Sequence, residues 1–316
     1  MKAMQLNSIA WISKFKQARE MRHTVATYPF LQVDAFTQTA LGGNPCAIVF
    51  DADDLDAATM QAIAREMNLS ETAFVLQSQI ADVRARYFTV ESEIPLAGHP
   101  TIATIYALVE TGRLPMRGDQ MTISLELRDG PIAVEVQATH GKPAYVVMTQ
   151  RKPQFLTTLD AAAVLPVWGL TPADVLPGVP IQVVSTGTPQ LMIPLRNQEA
   201  LRRMVINEAA YRELSKTADF FSAHLFCLGG ATAQGDTFAR HVGPIEDPFT
   251  GSATGGMGAY LWHYGLLDKA TFVAEQGHWM GRPGQATVEV IGPRQAIETV
   301  KVGGPAITVL RGELIL

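Results

Sequence analysis

Glu93-Ile94-Pro95-Leu96-Ala97-Gly98-His99-Pro100-Thr101 and Glu246-Asp247-Pro248-Phe249-Thr250-Gly251-Ser252-Ala253-Thr254 are one pattern written twice. Each opens on glutamate, places proline third and glycine sixth, and closes on threonine. Both run into segments, 99-111 and 252-264, that are apolar nearly all round. Such composition suits helices buried inside a wrapping sheet rather than lying on its surface. Both segments stop at a glycine, Gly112 and Gly265, equally far from the two glycine turns and suited to C-terminal caps. A second echo sets Gly43-Asn44-Pro45 before Ala47-Ile48-Val49 against Gly187-Thr188-Pro189 before Leu191-Met192-Ile193, at a different offset that loop insertions would explain. The period far exceeds a solenoid unit, so the pattern implies two homologous lobes, each a curled sheet around one buried helix. Coincidence in an alanine- and glycine-rich chain is the competing explanation.

Outward from these turns, strands dominate. Apolar or alternating runs at 28-34, 46-50, 72-77, 83-89, 121-127, 131-138 and 144-149 predict strands, and further runs follow at 181-184, 190-195, 223-228, 236-241, 271-275, 286-292 and 305-310. Between them, 56-67 begins at an aspartate and is followed by Asn68, which marks a capped amphipathic helix. The expected fold is therefore α/β of the α+β kind, with two pseudo-symmetric lobes of mixed or antiparallel sheet. Lobe 1 is expected at 25-150, with a C-terminal strand about 303-316 able to return to it. Lobe 2 is expected at 151-302, with the junction at Arg151-Lys152-Pro153. Residues 1-24 read as an extension outside the fold, in which Lys2, Lys14, Lys16, Arg19 and Arg22 interleave with Leu6, Ile9, Trp11, Ile12 and Phe15. An amphipathic helix fits that pattern, either as a by-product of an upstream start, with Met21 the true one, or as a targeting or membrane-surface segment.

The chain has 316 residues, 47% of them hydrophobic, and a formal net charge of -5. That length supports a large core, and that charge offers no basic field for nucleic acid or anionic membrane, leaving a small molecule as the expected partner. No stretch approaches the roughly 18 unbroken apolar residues of a membrane span. Cys46 and Cys227, the only cysteines, lie in separate apolar runs and are expected as free thiols in a reduced, cytoplasmic protein. Dinucleotide, Walker-A and serine-hydrolase motifs are missing, and the seven histidines lack metal-ligand spacing, so no metal is expected.

The chemistry is expected between the lobes. Two helix N-termini, entered through Gly98 and Gly251, offer free backbone N–H groups and the positive end of the helix dipole to a carboxylate. Alternatively, those glycines only make tight turns. Glu71 stands between a helix end and the apolar strand Thr72-Ala73-Phe74-Val75-Leu76, where desolvation raises a carboxyl pKa into the range useful for giving and taking protons. Its local context fits an ordinary edge glutamate facing water at least as well. His99, in the first turn of its helix, would be kept neutral by the dipole, and Asp247 would hold substrate or partner His99. Helix capping and a turn before Pro248 are the plain alternatives for this pair.

In order along the chain stand Val33-Asp34-Ala35-Phe36, Gly43-Asn44-Pro45, Leu69-Ser70-Glu71-Thr72, Ala97-Gly98-His99-Pro100-Thr101, Glu246 to Ala253, Glu275-Gln276-Gly277 and Gly281-Arg282-Pro283. In these pieces, from about residue 28 to the C-terminus, the chain resembles the PhzF-like proteins of phenazine biosynthesis, in the diaminopimelate epimerase fold group. The resemblance implies a cofactor-free isomerase, often a homodimer, with its site between the lobes. It implies a small carboxylate-bearing substrate of the trans-2,3-dihydro-3-hydroxyanthranilate kind. It maps the proton-moving glutamate onto Glu71, the histidine and aspartate of the site onto His99 and Asp247, and the second glycine turn onto Gly251 and Ser252. Diaminopimelate epimerases carry a cysteine before each glycine turn; here those places hold Ala97 and Thr250, which disfavours two-thiol racemisation. An amino-acid or hydroxy-acid epimerase using Glu71 with a second residue, and a non-catalytic metabolite binder, are the rival expectations.

Overall fold

The computed structural model describes residues 26–243 and 245–316. The N-terminal extension and its amphipathic helix lie outside the described residues. One 18-stranded sheet carries the fold. Followed along its hydrogen bonds, the first half runs β18 (Ala306–Ile315), β1 (Thr27–Ala35), β2 (Asn44–Val49), β3 (Glu71–Leu76), β4 (Val83–Phe88), β6 (Gln120–Leu127), β7 (Gly130–Thr139) and β8 (Lys142–Thr149). The second half runs β9 (Gln154–Leu159), β10 (Ile181–Ser185), β11 (Pro189–Pro194), β12 (Ser222–Leu228), β13 (Thr237–Val242), β15 (Thr271–Gln276), β16 (Gly284–Ile291) and β17 (Thr299–Gly304). Both halves repeat the same sense of pairing: antiparallel, antiparallel, parallel, antiparallel, parallel, antiparallel, antiparallel. The two-residue strands β5 (Glu93–Ile94) and β14 (Glu246–Asp247) pair with β4 and β13 at matching places. An antiparallel β8–β17 ladder joins the halves.

The symmetry extends to side chains. Arg86 forms a two-pronged pair with Glu93, and Arg240 does the same with Glu246, so the glutamate that opens each repeated motif is clamped to its own sheet. Thr101 and Thr254 each donate a hydroxyl hydrogen bond to the carbonyl four residues back, at Ala97 and Thr250.

Each half wraps one helix. Helix α2 (Gly98–Glu110) is buried at every residue except Glu110, and α6 (Gly251–His263) is buried at all but Ser252, Trp262 and His263. Apolar residues all round leave no face for water, so the curled sheet supplies partners on every side. Both helices start one residue earlier than the sequence suggested. Gly112 and Gly265 follow their ends at φ 72° and 69°, a left-handed conformation that costs glycine little. Helix α1 (Ala57–Met67) instead lies outside the sheet, burying Met60, Ile63 and Ala64 against Val49, Phe74 and Phe88. Asp56 caps its start by accepting from the Thr59 amide at 2.7 Å, and Asn68 ends it in the left-handed region. The second half adds α3 (Ala161–Val164), α4 (Gln198–Arg203) and α5 (Glu208–Thr217) over a separate core containing Trp168, Leu201 and Tyr211.

Candidate active site

Glu71 and His99 come from the first half, and the second half supplies Asp247. Glu71 is the first residue of β3, paired in register with Cys46 of β2. Its side chain is 16% exposed and points at α2, where His99 Nε2 lies 3.1 Å from Glu71 Oε2. The two atoms do not meet at a hydrogen-bonding angle, and neither has another partner. Two buried polar atoms left open at the same spot represent an interaction the folded chain does not complete by itself.

Around this pair a network crosses between the halves. The Asn44 amide at the head of β2 donates to Asp247 Oδ1 at 2.7 Å and to the Phe249 carbonyl at 2.8 Å, and its Nδ2 lies 2.9 Å from His99 Nδ1. Asp247 Oδ1 also accepts from Ser70 Oγ at 3.0 Å, and Oδ2 accepts from the Thr250 hydroxyl. Gln276 donates to the Asp247 carbonyl at 2.7 Å and accepts from the Thr250 amide at 3.2 Å. Asp247 and His99 thus both abut the Asn44 amide and do not pair directly, which differs from the pairing considered from sequence.

The electrostatics follow from this burial. Desolvation, then the neighbouring Asp247 charge, push the Glu71 carboxyl well above the ordinary carboxylate range. Desolvation lowers His99 to about 4 against the pull of Asp247 and the Pro45 carbonyl, so its ring is neutral at physiological pH. Burial and Glu71 together raise the Cys46 thiol, which keeps it protonated and unreactive. A carboxyl with a raised pKa facing a neutral imidazole can take a proton, hold it and return it, while the imidazole offers one donor and one acceptor.

The helix N-termini meet beside this cluster. A Cβ on Gly98 would stand 2.5 Å from the Ser252 amide nitrogen and 2.7 Å from Gly251 Cα. Only glycine lets the two backbones come this close. Gln150 fixes the second N-terminus by donating to the Gly251 carbonyl at 2.9 Å. Beneath, Phe36 stacks on Phe249 at 4.3 Å, joining the halves with apolar surface. Arg282 donates to Asp34 at 2.8 Å and to the carbonyls of Gly42 and Gly43, which draws three of the recurring sequence pieces together at the rim.

Of the residues singled out from sequence, Glu71, His99, Asp247, Gly98, Gly251 and Ser252 thus lie around one spot. Asn44, Ser70, Thr250 and Gln276 were not assigned roles there. Asn44 carried one usable signal, an amide placed directly ahead of a buried apolar strand. A groove of about 280 Å³ lined by Glu135, Gln137, Tyr145, Val147, Thr287, Glu289, Lys301 and Gly303 contains none of these residues and lies on the β8–β17 seam. Cys46 and Cys227 are free and buried. Among the described residues no helix is long and apolar enough to cross a membrane.

The fold and the kind of protein built on it are those of an α/β isomerase. Residues 33–312 match the family model for phenazine biosynthesis-like proteins, PhzC-PhzF, and the chain belongs to that family. It is 35% identical over 266 residues to the uncharacterized isomerase YfhB of Bacillus subtilis, covering 82% of this chain and 89% of that protein. It is 32% identical over 289 residues to trans-2,3-dihydro-3-hydroxyanthranilate isomerase of Pseudomonas fluorescens, covering 91% of this chain and 99% of the relative. The crystal structure of a PhzF-family phenazine biosynthesis protein from Bacillus anthracis superposes with a TM-score of 0.82 at 32% identity, over 92% of this chain and 100% of that one.

Proposed function

We propose that this isomerase moves a proton between two carbons of a small carboxylate-bearing metabolite, with Glu71 as the single acid/base group. The observation that carries the reading is the open pair: Glu71 Oε2 and His99 Nε2, 3.1 Å apart, buried, without other partners. A substrate C–H brought against the exposed part of the Glu71 side chain, which is 16% exposed, would give its proton to the carboxylate, which would return it to another carbon on the same face. His99 and Asp247 hold or polarise the substrate's polar groups, and the backbone at Gly98, Gly251 and Ser252 takes its carboxylate. The trans-2,3-dihydro-3-hydroxyanthranilate type of reaction suits this scheme, since a conjugated product would draw the shift forward. No step in this scheme calls for a cofactor. The same reading has the enzyme act in the cytoplasm as a homodimer, and treats 25–150 with the returning C-terminal strand, and 151–302, as units descended from one duplicated ancestor.

Inversion at one carbon is the less favoured course. The places before the two glycine turns hold Ala97, which has no proton to give, and Thr250, whose hydroxyl is committed to Asp247. Glu71→Gln, which keeps shape and removes the base, should lower turnover by roughly 10² to 10⁴-fold while leaving substrate affinity within a few-fold. Turnover in deuterated solvent separates the mechanisms. Same-face transfer carries the substrate's own proton to a new carbon, whereas inversion labels the original one. Full turnover by the Glu71→Gln enzyme would overturn the assignment.

A further inference from the structure

The second half of the sheet holds a polar chain where the first half holds Glu71. The β11–β12 ladder repeats β2–β3 in direction and register: Cys46 faces Glu71 across one, and Gln190 faces Ser222 across the other. Gln190 is also where the Gly-Asn-Pro and Gly-Thr-Pro echo carries Cys46. Ser222 therefore stands to α6 as Glu71 stands to α2, and the starts of these two helices touch. By this symmetry the second half presents a hydroxyl where the first half presents the Glu71 carboxyl.

That hydroxyl is backed by two buried imidazoles. Ser222 Oγ donates to Gln190 Oε1 at 2.5 Å and lies 2.7 Å from His241 Nε2, while His241 Nδ1 lies 3.2 Å from His224 Nδ1. Burial holds both rings neutral, with His241 down at about 4. Two proton arrangements satisfy the chain. In one, His241 donates to Ser222, and Ser222 donates to Gln190. In the other, Ser222 donates to His241, and the Gln190 amide, turned over, donates to Ser222. A serine hydroxyl has one proton and two lone pairs. In both arrangements its proton and one lone pair are used inside the chain, leaving one free acceptor site.

We infer that Ser222, held by His241 and Gln190, is a substrate-contacting residue that accepts a hydrogen bond from a hydroxyl or amino group on the substrate, opposite the Glu71 side. The inference rests on the region around Glu71 and the two helix starts being the substrate site, and it adds to that reading a specificity-determining residue, with His241 a positioning residue acting through Ser222.

Calorimetric titration with three non-reacting probes tests this: cyclohexanecarboxylate and its 2-hydroxy and 2-amino derivatives. The wild-type enzyme should bind at least one derivative about five- to tenfold more tightly than the parent acid. Ser222→Ala and His241→Phe should erase that advantage while leaving parent affinity unchanged, a split that general loosening of the fold would not produce. Ser222→Thr, which keeps the hydroxyl, should restore it. Equal binding of parent and derivatives by the wild type, or an advantage that survives Ser222→Ala, overturns the inference alone. Failure of all three carboxylates to bind overturns the cleft reading and this inference with it.

Discussion

Glu71 and His99 are displaced from their ordinary titration in opposite directions by the same burial, and stability should record both. The folded state raises the Glu71 pKa, so it holds that proton more firmly than the unfolded chain does. The associated stability is fully present below the unfolded value of about 4.3 and is lost as pH rises through the folded value. Glu71→Gln removes this loss, so its melting temperature should exceed that of the wild type at pH 8 and converge with it near pH 4. For His99 the folded value falls to about 4 against an ordinary 6.5, so the unfolded chain binds the proton first. Its stability contribution is present above pH 6.5 and is lost as pH falls towards 4. A His99→Gln variant should show a flatter acid limb in a melting-temperature profile over that window. At this scale the sequence reveals which residues can do chemistry but not what desolvates them. Glu71 looks like an edge glutamate because the groups beside it, His99 and Asp247, come from farther along the chain. The Asn44–Asp247 bond spans 203 residues, so no local pattern announces it.

Elements whose faces are uniform or sharply periodic were legible. The two all-apolar helices, their glycine ends and the capped α1 all emerge within a residue or so of expectation, because burial on every side or on one face writes itself into composition. Strand β9, Gln-Phe-Leu-Thr-Thr-Leu, did not, because it is largely exposed and shows no alternation. Helix α5 buries only Tyr211, too little for a periodic signal. Strand β17 carries Gly303 and Gly304 where side chains of Tyr145 and Phe36 press against it, so its composition reads as a turn. The contact between α2 and α6 is the most demanding feature at this scale. Gly98→Ala would drive a methyl into the Ser252 amide and Gly251 backbone, forcing the helix starts apart. The expected loss is about 1–3 kcal/mol in denaturant unfolding, with a larger proportional loss of activity if the helix starts take the substrate carboxylate as proposed.

In the whole molecule the two halves are tied by more than the β8–β17 ladder. Asp34, fully buried in β1, pairs with Arg282, which follows β15. Burial raises the Asp34 carboxyl more than the Leu41 amide and Arg282 hold it down. Arg282→Gln should therefore cost roughly 3–5 kcal/mol in urea denaturation, because it strands a buried carboxylate, and adding Asp34→Asn should recover a substantial part of that loss. The pseudo-symmetry was legible from the repeated turn because the spacing around two equivalent glycines is the same in both halves, although most other side chains differ. On the proposed mechanism the same difference makes the reaction one-sided: the two halves share the frame and differ in the groups, a carboxyl at Glu71 and a hydroxyl at Ser222.

Strand β18 belongs to the first half of the sheet yet follows the whole of the second half in the chain, and at its end Leu316 exchanges both backbone hydrogen bonds with Ala26. During synthesis on a ribosome, the first half would emerge early but lack its edge strand until the second half had been made and residues 306–315 had left the exit tunnel. Its β1 edge would stand open through most of translation, exposed to pairing with a neighbouring nascent chain. Completion of this half is therefore timed by the emergence of β18 rather than by the half's own appearance.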